Sequence, residues 1–287
     1  MTLGNSSDLS GLSVLGSFAH PDDEGFGSGG TLAMLVDRGA RVTIVCATNG
    51  DVGEISDPAL ATPENLFQVR QEELREAMAV TGIQDVRFLG YRDSGMDGTP
   101  DNHHPDCLFQ AQPDKVAERL AEIMVEVQAD LVLTHDPTGG YGHPDHKMVY
   151  EFTTRAFPLA VDALTAGESG SGDRTWGPQR LYYVCFPRSN FRRMWQQMKE
   201  LGLEPPFASQ MVDSIGSPDE AVTTTLDVSA YVDIKRESLN RHRTQMRMDG
   251  AFAKMPEEMM REIMSTEYFT LAFPENADKN VDLLAGL

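Results

Sequence analysis

A histidine followed closely by three carboxylates ends an apolar run near the N-terminus, in the stretch AHPDDE (19–24). His20 and Asp23 are three residues apart there, and His-Pro-Asp returns at 143–145, where a second histidine, His146, follows it. Two imidazoles and one carboxylate, with one position open for water, suit a catalytic Zn²⁺ site. Clustered carboxylates also repel one another unless a cation compensates them. We therefore predict that His20, Asp23 and His146 bind one zinc ion per chain.

The residues beside these ligands could carry out hydrolysis. Zinc lowers the pKa of a bound water to about 7, and Asp22 is close enough to accept its proton as a general base, which gives a nucleophile for a carbonyl carbon. His143 precedes His146 by one helical turn and could stabilise an oxyanion or protonate a leaving amine. Asp145 could orient one imidazole. The structural alternative is a turn at HPDD and ordinary helix capping by His143 and Asp145.

Continuous apolar runs predict the buried strands that would position these residues. The runs are LSVLGSF (12–18), RVTIVCA (41–47), VRFLG (86–90), LVLTH (131–135) and LYYVCF (181–186). Because helical patterns separate the runs, we predict an α/β fold with a mostly parallel, Rossmann-like sheet flanked by helices. One catalytic domain is expected over 1–287, with a metal-site core at about 12–165 and a smaller C-terminal lobe at about 178–287 that completes the sheet and the pocket.

Two helices and a strand pair complete the predicted elements. Val116, Leu120, Ile123, Met124 and Val127 have helical spacing, and a shorter helix around Leu32 ends before Gly39. A Gly- and Ser-rich loop at 167–177 leads to a possible strand pair at 222–228 and 268–273.

Three polar loops follow predicted strands: His20 to Glu24, YRDSG (91–95) and HDPTGGYGHPDH (135–146). Ligands bind at the carboxyl edge of open parallel sheets, so these loops are expected to share one site.

Composition restricts the partners. The net charge of −20 disfavours nucleic acid and anionic membrane surfaces. No apolar stretch is long enough to span a membrane, and no signal peptide is visible, so a cytoplasmic location is expected. Three cysteines far apart in sequence do not form a disulfide framework. We expect a small-molecule substrate. A homo-oligomer is compatible with the sequence.

Other functions fit parts of the same sequence. GFGSGG (25–30) satisfies the G-x-G-x-x-G pattern of a dinucleotide site, and Asp51 follows at a suitable distance. The intervening HPDDE would place carboxylates beside a pyrophosphate, which disfavours a nucleotide-binding oxidoreductase. The glycines are instead expected to start the helix and pass close to the metal loop.

Two histidines and one carboxylate also describe a non-haem Fe(II) oxygenase. A catalytically silent sugar-binding protein is a third alternative, although it would not need a base beside a metal.

The pair of motifs AHPDDE and GGYGHPDH resembles the LmbE-like, PIG-L superfamily of zinc-dependent N-deacetylases. YRDSGM (91–96) and KRESLNRHRTQ (235–245) are similar to the branch that contains the mycothiol-pathway deacetylase and the mycothiol conjugate amidase. The resemblance covers about residues 12–246. It implies the same ligands and base, with Fe²⁺ as an alternative metal in the cell, and an N-acetylglucosamine-type substrate.

The resemblance also implies roles for residues that the spacing alone does not identify. Tyr141 would polarise the substrate carbonyl, and Arg70 and Asp93 would contact sugar hydroxyls. A structural salt bridge is the alternative for Arg70, and His242 is either a core histidine or a site residue. An amidase that acts on a thiol conjugate is the alternative activity.

The segment 97–110 departs from the family pattern. It contains His103, His104 and Cys107, which could form a second metal site or belong to a polar loop that lines the pocket.

Overall fold

The computed structural model describes residues 8–166, 177–205, 208–247, 250, 252–274 and 282–284. Seven strands form one sheet in the order β3-β2-β1-β4-β5-β7-β6. The strands are β1 (Ser13–Phe18), β2 (Arg41–Thr48), β3 (Asp85–Tyr91), β4 (Leu131–His135), β5 (Arg180–Cys185), β6 (Thr224–Asp227) and β7 (Thr266–Phe273). The first five run parallel, whereas β7 is antiparallel to both β5 and β6. The predicted α/β fold with a mostly parallel sheet is confirmed.

Helices cover both faces of the sheet. They are α1 (Asp23–Asp37), α2 (Leu66–Thr81), α3 (Pro113–Glu126), α4 (Pro144–Ala166), α5 (Arg188–Glu200), α6 (Val232–Leu239) and α7 (Glu257–Met264). Side chains of β1 alternate between the faces, so Val14 and Phe18 pack with α1 and α2, while Leu15 packs with α3 and α4. None of the described helices is long and apolar enough to cross a membrane.

The apolar runs predicted the first five strands to within one residue at either end. The helix around Leu120 is present as α3, α4 begins at Pro144, and Gly39 follows the end of α1 with φ of 94°. The strand pair near the C-terminus is β6 and β7. Apart from Gly177, the predicted Gly- and Ser-rich loop lies outside the described residues.

The glycines of GFGSGG lie in the first turns of α1, which begins at Asp23, so they do not form a turn between the strand and the helix. The glycines allow close packing instead: a Cβ at Gly27 would lie 2.4 Å from Val184, and one at Gly30 would lie 2.6 Å from Val228. The glycine turn that a dinucleotide site needs is therefore not present at this position.

The strand order reverses between β1 and β4. Crevices at such a reversal, outside the carboxyl ends of the strands, are where open α/β sheets bind ligands. His20 follows β1 and His146 lies in the first turn of α4, directly after the loop that leaves β4. The fold therefore places the His-Pro-Asp motifs at 20–22 and 143–145 side by side.

Candidate active site

The structure brings His20, Asp23 and His146 together at this reversal. His20 Nδ1 lies 3.2 Å from His146 Nε2 and 3.2 Å from Asp23 Oδ2, while Asp23 Oδ1 lies 3.2 Å from His146 Nε2. In a tetrahedral zinc site with bonds of about 2.0–2.1 Å, the ligand atoms are about 3.3 Å apart. The three side chains therefore match a metal site in both chemistry and spacing, and the cluster could hold a metal ion.

His135, the last residue of β4, adjoins this cluster and was missed by the sequence analysis. Its ring stacks on that of His146 with 4.1 Å between the centroids. Its Nε2 lies 3.5 Å from Asp23 Oδ2 and accepts the backbone N–H of Ala19 at 3.0 Å. Burial lowers the pKa of His135 to about 4, so the ring is neutral. His135 Nε2 already accepts a hydrogen bond, so the ring is placed to support His146 by stacking, and it also lies within ligand distance of Asp23 and His146.

Two buried carboxylates face the other nitrogen of His20. Asp145 Oδ2 lies 3.2 Å from His20 Nε2 and accepts the backbone N–H of Ser94 at 2.9 Å. Asp93 Oδ1 lies 3.6 Å from the same nitrogen. An acceptor at Nε2 keeps the proton there and leaves Nδ1 free to bind a metal. Asp145 is therefore in position to orient an imidazole, and that imidazole is His20.

Asp22 lies beside the cluster, but its carboxylate has a different partner. Asp22 Oδ1 is 3.3 Å from Arg70 Nη2, and the side chain keeps 16% of its surface exposed at a cleft. Burial raises the pKa of Asp22 to about 6, against the opposing effect of the Arg70 guanidinium. A carboxylate with a raised pKa in a cleft has the properties of a general base.

Arg70 is almost completely buried. Its guanidinium donates to the carbonyl oxygens of Gly50 at 2.9 Å and Pro21 at 2.7 Å, in addition to facing Asp22. It also lines the cleft, as does Asp93. The structure therefore contains the salt bridge that was the alternative for Arg70, and it leaves both residues within reach of a ligand.

Tyr141 and His143 stand on the loop that connects β4 to α4. Asp136, at the base of this loop, accepts hydrogen bonds from Thr138 Oγ1 at 2.7 Å and from the Gly140 N–H at 3.2 Å. His143 Nδ1 accepts the Asp145 N–H at 3.1 Å, so the proton of a neutral ring is on Nε2. Burial raises the pKa of Tyr141, whose phenol is therefore a neutral donor.

These side chains surround one cleft with a volume of about 310 Å³. Its lining includes seven of the nine predicted site residues: His20, Asp22, Asp23, Arg70, Asp93, Tyr141 and His143. Asp145 and His146 lie behind them, in contact with His20. Glu54, Gln245 and Arg247 also line the cleft with charged and polar groups, which suits a hydroxyl-rich ligand.

The segment 97–110 takes no part in the site. Cys107 is buried and its thiol faces the Asn102 carbonyl at 3.6 Å, whereas His103 is exposed and His104 is half-buried. Within the described ranges, His103, His104 and Cys107 do not form a group that could hold a metal ion. The cleft wall is formed by the neighbouring Gly95 and Met96 instead.

Comparison with known proteins agrees with this geometry. The sequence model of the PIG-L family, described as GlcNAc-PI de-N-acetylase, matches residues 15–157. A relative from Thermobifida fusca (strain YX), named 1D-myo-inositol 2-acetamido-2-deoxy-alpha-D-glucopyranoside deacetylase, is 40% identical over 88% of this chain and 90% of its own length. A relative from Catenulispora acidiphila, named as deacetylase 1 for the same compound, is 37% identical over 94% of this chain and 87% of its own.

A solved structure shows the same fold. The N,N'-diacetylchitobiose deacetylase from Pyrococcus horikoshii, in complex with its inhibitor MPG, superposes with a TM-score of 0.57. The match covers 90% of this chain and 83% of the other at 21% identity. The resemblance carried by AHPDDE and GGYGHPDH is thus confirmed over nearly the whole chain, and the chain belongs to the PIG-L family.

Proposed function

We propose that this protein is a metal-dependent hydrolase that removes an acetyl group from the amide nitrogen of a small molecule containing N-acetylglucosamine. The observation that carries the proposal is the cluster of His20, Asp23 and His146, with the carboxylate of Asp22 beside it at an open cleft. The names of the relatives support the deacetylase reaction. They give no support to a thiol-conjugate amidase or to a nucleotide-dependent oxidoreductase.

His20 Nδ1, His146 Nε2 and the Asp23 carboxylate would hold the metal, for which we propose zinc. Their spacing and their nitrogen and oxygen donors fit this ion. A bound zinc ion would supply Lewis acidity, which lowers the pKa of water and polarises a carbonyl group.

The side chains around the ligands would carry the proton transfers. Asp22 accepts a proton from the attacking water and returns it to the leaving amine, a role that its raised pKa supports. The Tyr141 phenol and His143 Nε2 donate to the carbonyl oxygen as it gains negative charge. Arg70 and Asp93, which line the same cleft, would bind sugar hydroxyls.

Acetate release from a series of N-acetylglucosaminides tests this function. The series should include free N-acetylglucosamine, an inositol glycoside and a simple alkyl glycoside, with acetate and free amine both quantified. We expect equal amounts of the two products and a higher kcat/KM for the inositol glycoside than for the alkyl glycoside, because charged and polar side chains line the cleft.

An Asp130→Asn variant shows whether the loss of a buried carboxylate outside the site changes acetate release. Asp130 is a buried aspartate at the opposite end of β4 and accepts the Ser13 N–H at 2.8 Å. Absence of acetate release from every glycoside, in protein with its metal bound, would contradict the proposed substrate class.

A further inference from the structure

A buried pair of side chains, Glu24 and His242, holds the main chain at Asp22 without reaching the cleft. Glu24 Oε2 accepts the backbone N–H of Asp22 at 3.0 Å, and Glu24 Oε1 lies 2.9 Å from His242 Nε2. Glu24 is 1% exposed and His242 is completely buried. Neither residue lines the cleft. His242 is 218 residues from Glu24 in sequence, so only the tertiary fold makes this contact.

Asp22 needs such support because its backbone is unusual. Its φ of 131° is one that residues other than glycine rarely adopt and keep only where the surroundings enforce it. The peptide group between Pro21 and Asp22 is held at both ends. Arg70 donates to its carbonyl oxygen at 2.7 Å, and Glu24 accepts from its N–H at 3.0 Å. Together these contacts set the direction in which the Asp22 side chain leaves the main chain.

Glu24 can hold this peptide only if its own carboxylate is held. A buried carboxylate requires hydrogen-bond donors, and His242 supplies one to the oxygen that does not contact Asp22. His242 follows α6, whose last residue, Leu239, packs so tightly on α1 that a Cβ at Gly25 would lie 2.6 Å from its side chain. The histidine is therefore anchored against the first turn of α1.

We propose that His242 is a positioning residue for Asp22. By fixing Glu24, it fixes the peptide between Pro21 and Asp22 and keeps the Asp22 carboxylate aimed into the cleft. His242 touches neither substrate nor metal ligand in this role. The inference rests on the proposed function, in which Asp22 is the general base.

Two substitutions separate the hydrogen bond of His242 from its bulk. His242→Met removes the donor, whereas His242→Gln keeps an N–H donor at similar reach. Because misplacing a reacting group by about 1 Å can cost about 100-fold in rate, we expect His242→Met to lower kcat by about 10- to 100-fold. KM and metal content should be unchanged, and His242→Gln should restore most of kcat.

Lys235→Met is the matched control. Lys235 is also buried, belongs to α6, and pairs with the buried Glu267 at 2.7 Å. Glu267 in turn accepts the N–H groups of Gly30 and Thr31, in the middle of α1. Lys235→Met therefore removes the cation that pairs with Glu267. Glu267 holds the middle of α1 and does not contact the peptide at Asp22. It should lower Tm and leave kcat unchanged.

The background of Asp22→Asn gives the decisive comparison. If His242 acts through Asp22, His242→Met should have no further effect on the residual turnover of Asp22→Asn. Hydrogen exchange of the segment 20–25 is a readout independent of turnover. It should become faster in His242→Met and stay at the wild-type rate in Lys235→Met.

The inference is overturned if His242→Met and Lys235→Met change kcat and Tm in the same proportion. It is also overturned if His242→Met lowers turnover in Asp22→Asn by the same factor as in the wild type. Should the wild-type protein release no acetate, the proposed function fails. Hydrogen exchange of 20–25 then decides by itself whether His242 fixes this segment.

Discussion

Asp145→Asn tests the buried carboxylate behind the proposed ligand His20. Asp145 Oδ2 lies 3.2 Å from His20 Nε2 and accepts the Ser94 N–H at 2.9 Å, and the side chain is completely buried. Asparagine has the same shape, and because Oδ2 faces both Ser94 and His20, a carbonyl oxygen at that position can still accept from both. It carries no negative charge, so it holds the proton on His20 Nε2 less strongly than the carboxylate does.

The expected loss is one of metal affinity. Replacing a carboxylate that orients a histidine ligand typically costs about 10- to 100-fold in metal affinity, which corresponds to about 1.4–2.8 kcal/mol. We expect the lower part of this range, because the asparagine carbonyl can still accept from His20 and only the negative charge is lost. Saturating zinc should restore much of the turnover, since Asp145 does not line the cleft.

Competition with a chromophoric chelator measures the zinc Kd directly. Asp130→Asn is the isosteric control, because it alters a buried aspartate that accepts a backbone N–H and has no imidazole partner. Its Kd should equal that of the wild type. A zinc Kd for Asp145→Asn that is also unchanged would refute the assignment of His20 as a ligand oriented by this carboxylate.

Three further predictions follow from the geometry. Asp22→Asn should keep the metal but lower kcat by about 10²- to 10⁴-fold; unchanged kcat at full metal content would remove Asp22 as the base. Gly27→Ala would place a Cβ 2.4 Å from Val184, and this overpacking costs about 1–3 kcal/mol against a gain in helix propensity of about 1 kcal/mol. Calorimetry should therefore show a lower Tm, and a higher one would contradict the packing argument. Burial raises the pKa of Cys185 to about 12, so a thiol reagent should label it only after unfolding, and rapid labelling of the native protein would be inconsistent with this burial.

The sequence predicted that His20, Asp23 and His146 lie together because the chemistry of each motif is local. AHPDDE and HPDH each bring ligand types together within a few residues, and the parallel sheet places both at one edge. The strands were predictable for a similar reason, since those buried on both faces have continuous apolar runs. Asp22, Tyr141 and His143 also lie in these loops, and all three line the cleft.

The parts that could not be predicted depend on tertiary contacts. The glycines of GFGSGG matched a turn pattern, and only the packing of α1 against Val184 and Val228 explains their presence inside a helix. His135 is the last residue of an apolar strand, at the edge of the sheet that holds the site. Its position in the sequence could therefore have indicated that it lies near the ligands. The pairing of Glu24 with His242 had no such indication, because 218 residues separate them.

The most direct test of the account is acetate release from an N-acetylglucosaminide by protein that is stripped of metal and then reloaded with Zn²⁺, with bound metal quantified in the same sample. The account predicts that chelation abolishes acetate release, that zinc restores it, and that full activity coincides with one metal ion per chain. His146→Ala should lose both metal and activity under the same conditions. Acetate release that persists in metal-free protein, or a wild-type protein that binds no stoichiometric metal, would contradict the assignment of His20, Asp23 and His146 as the metal site of a deacetylase.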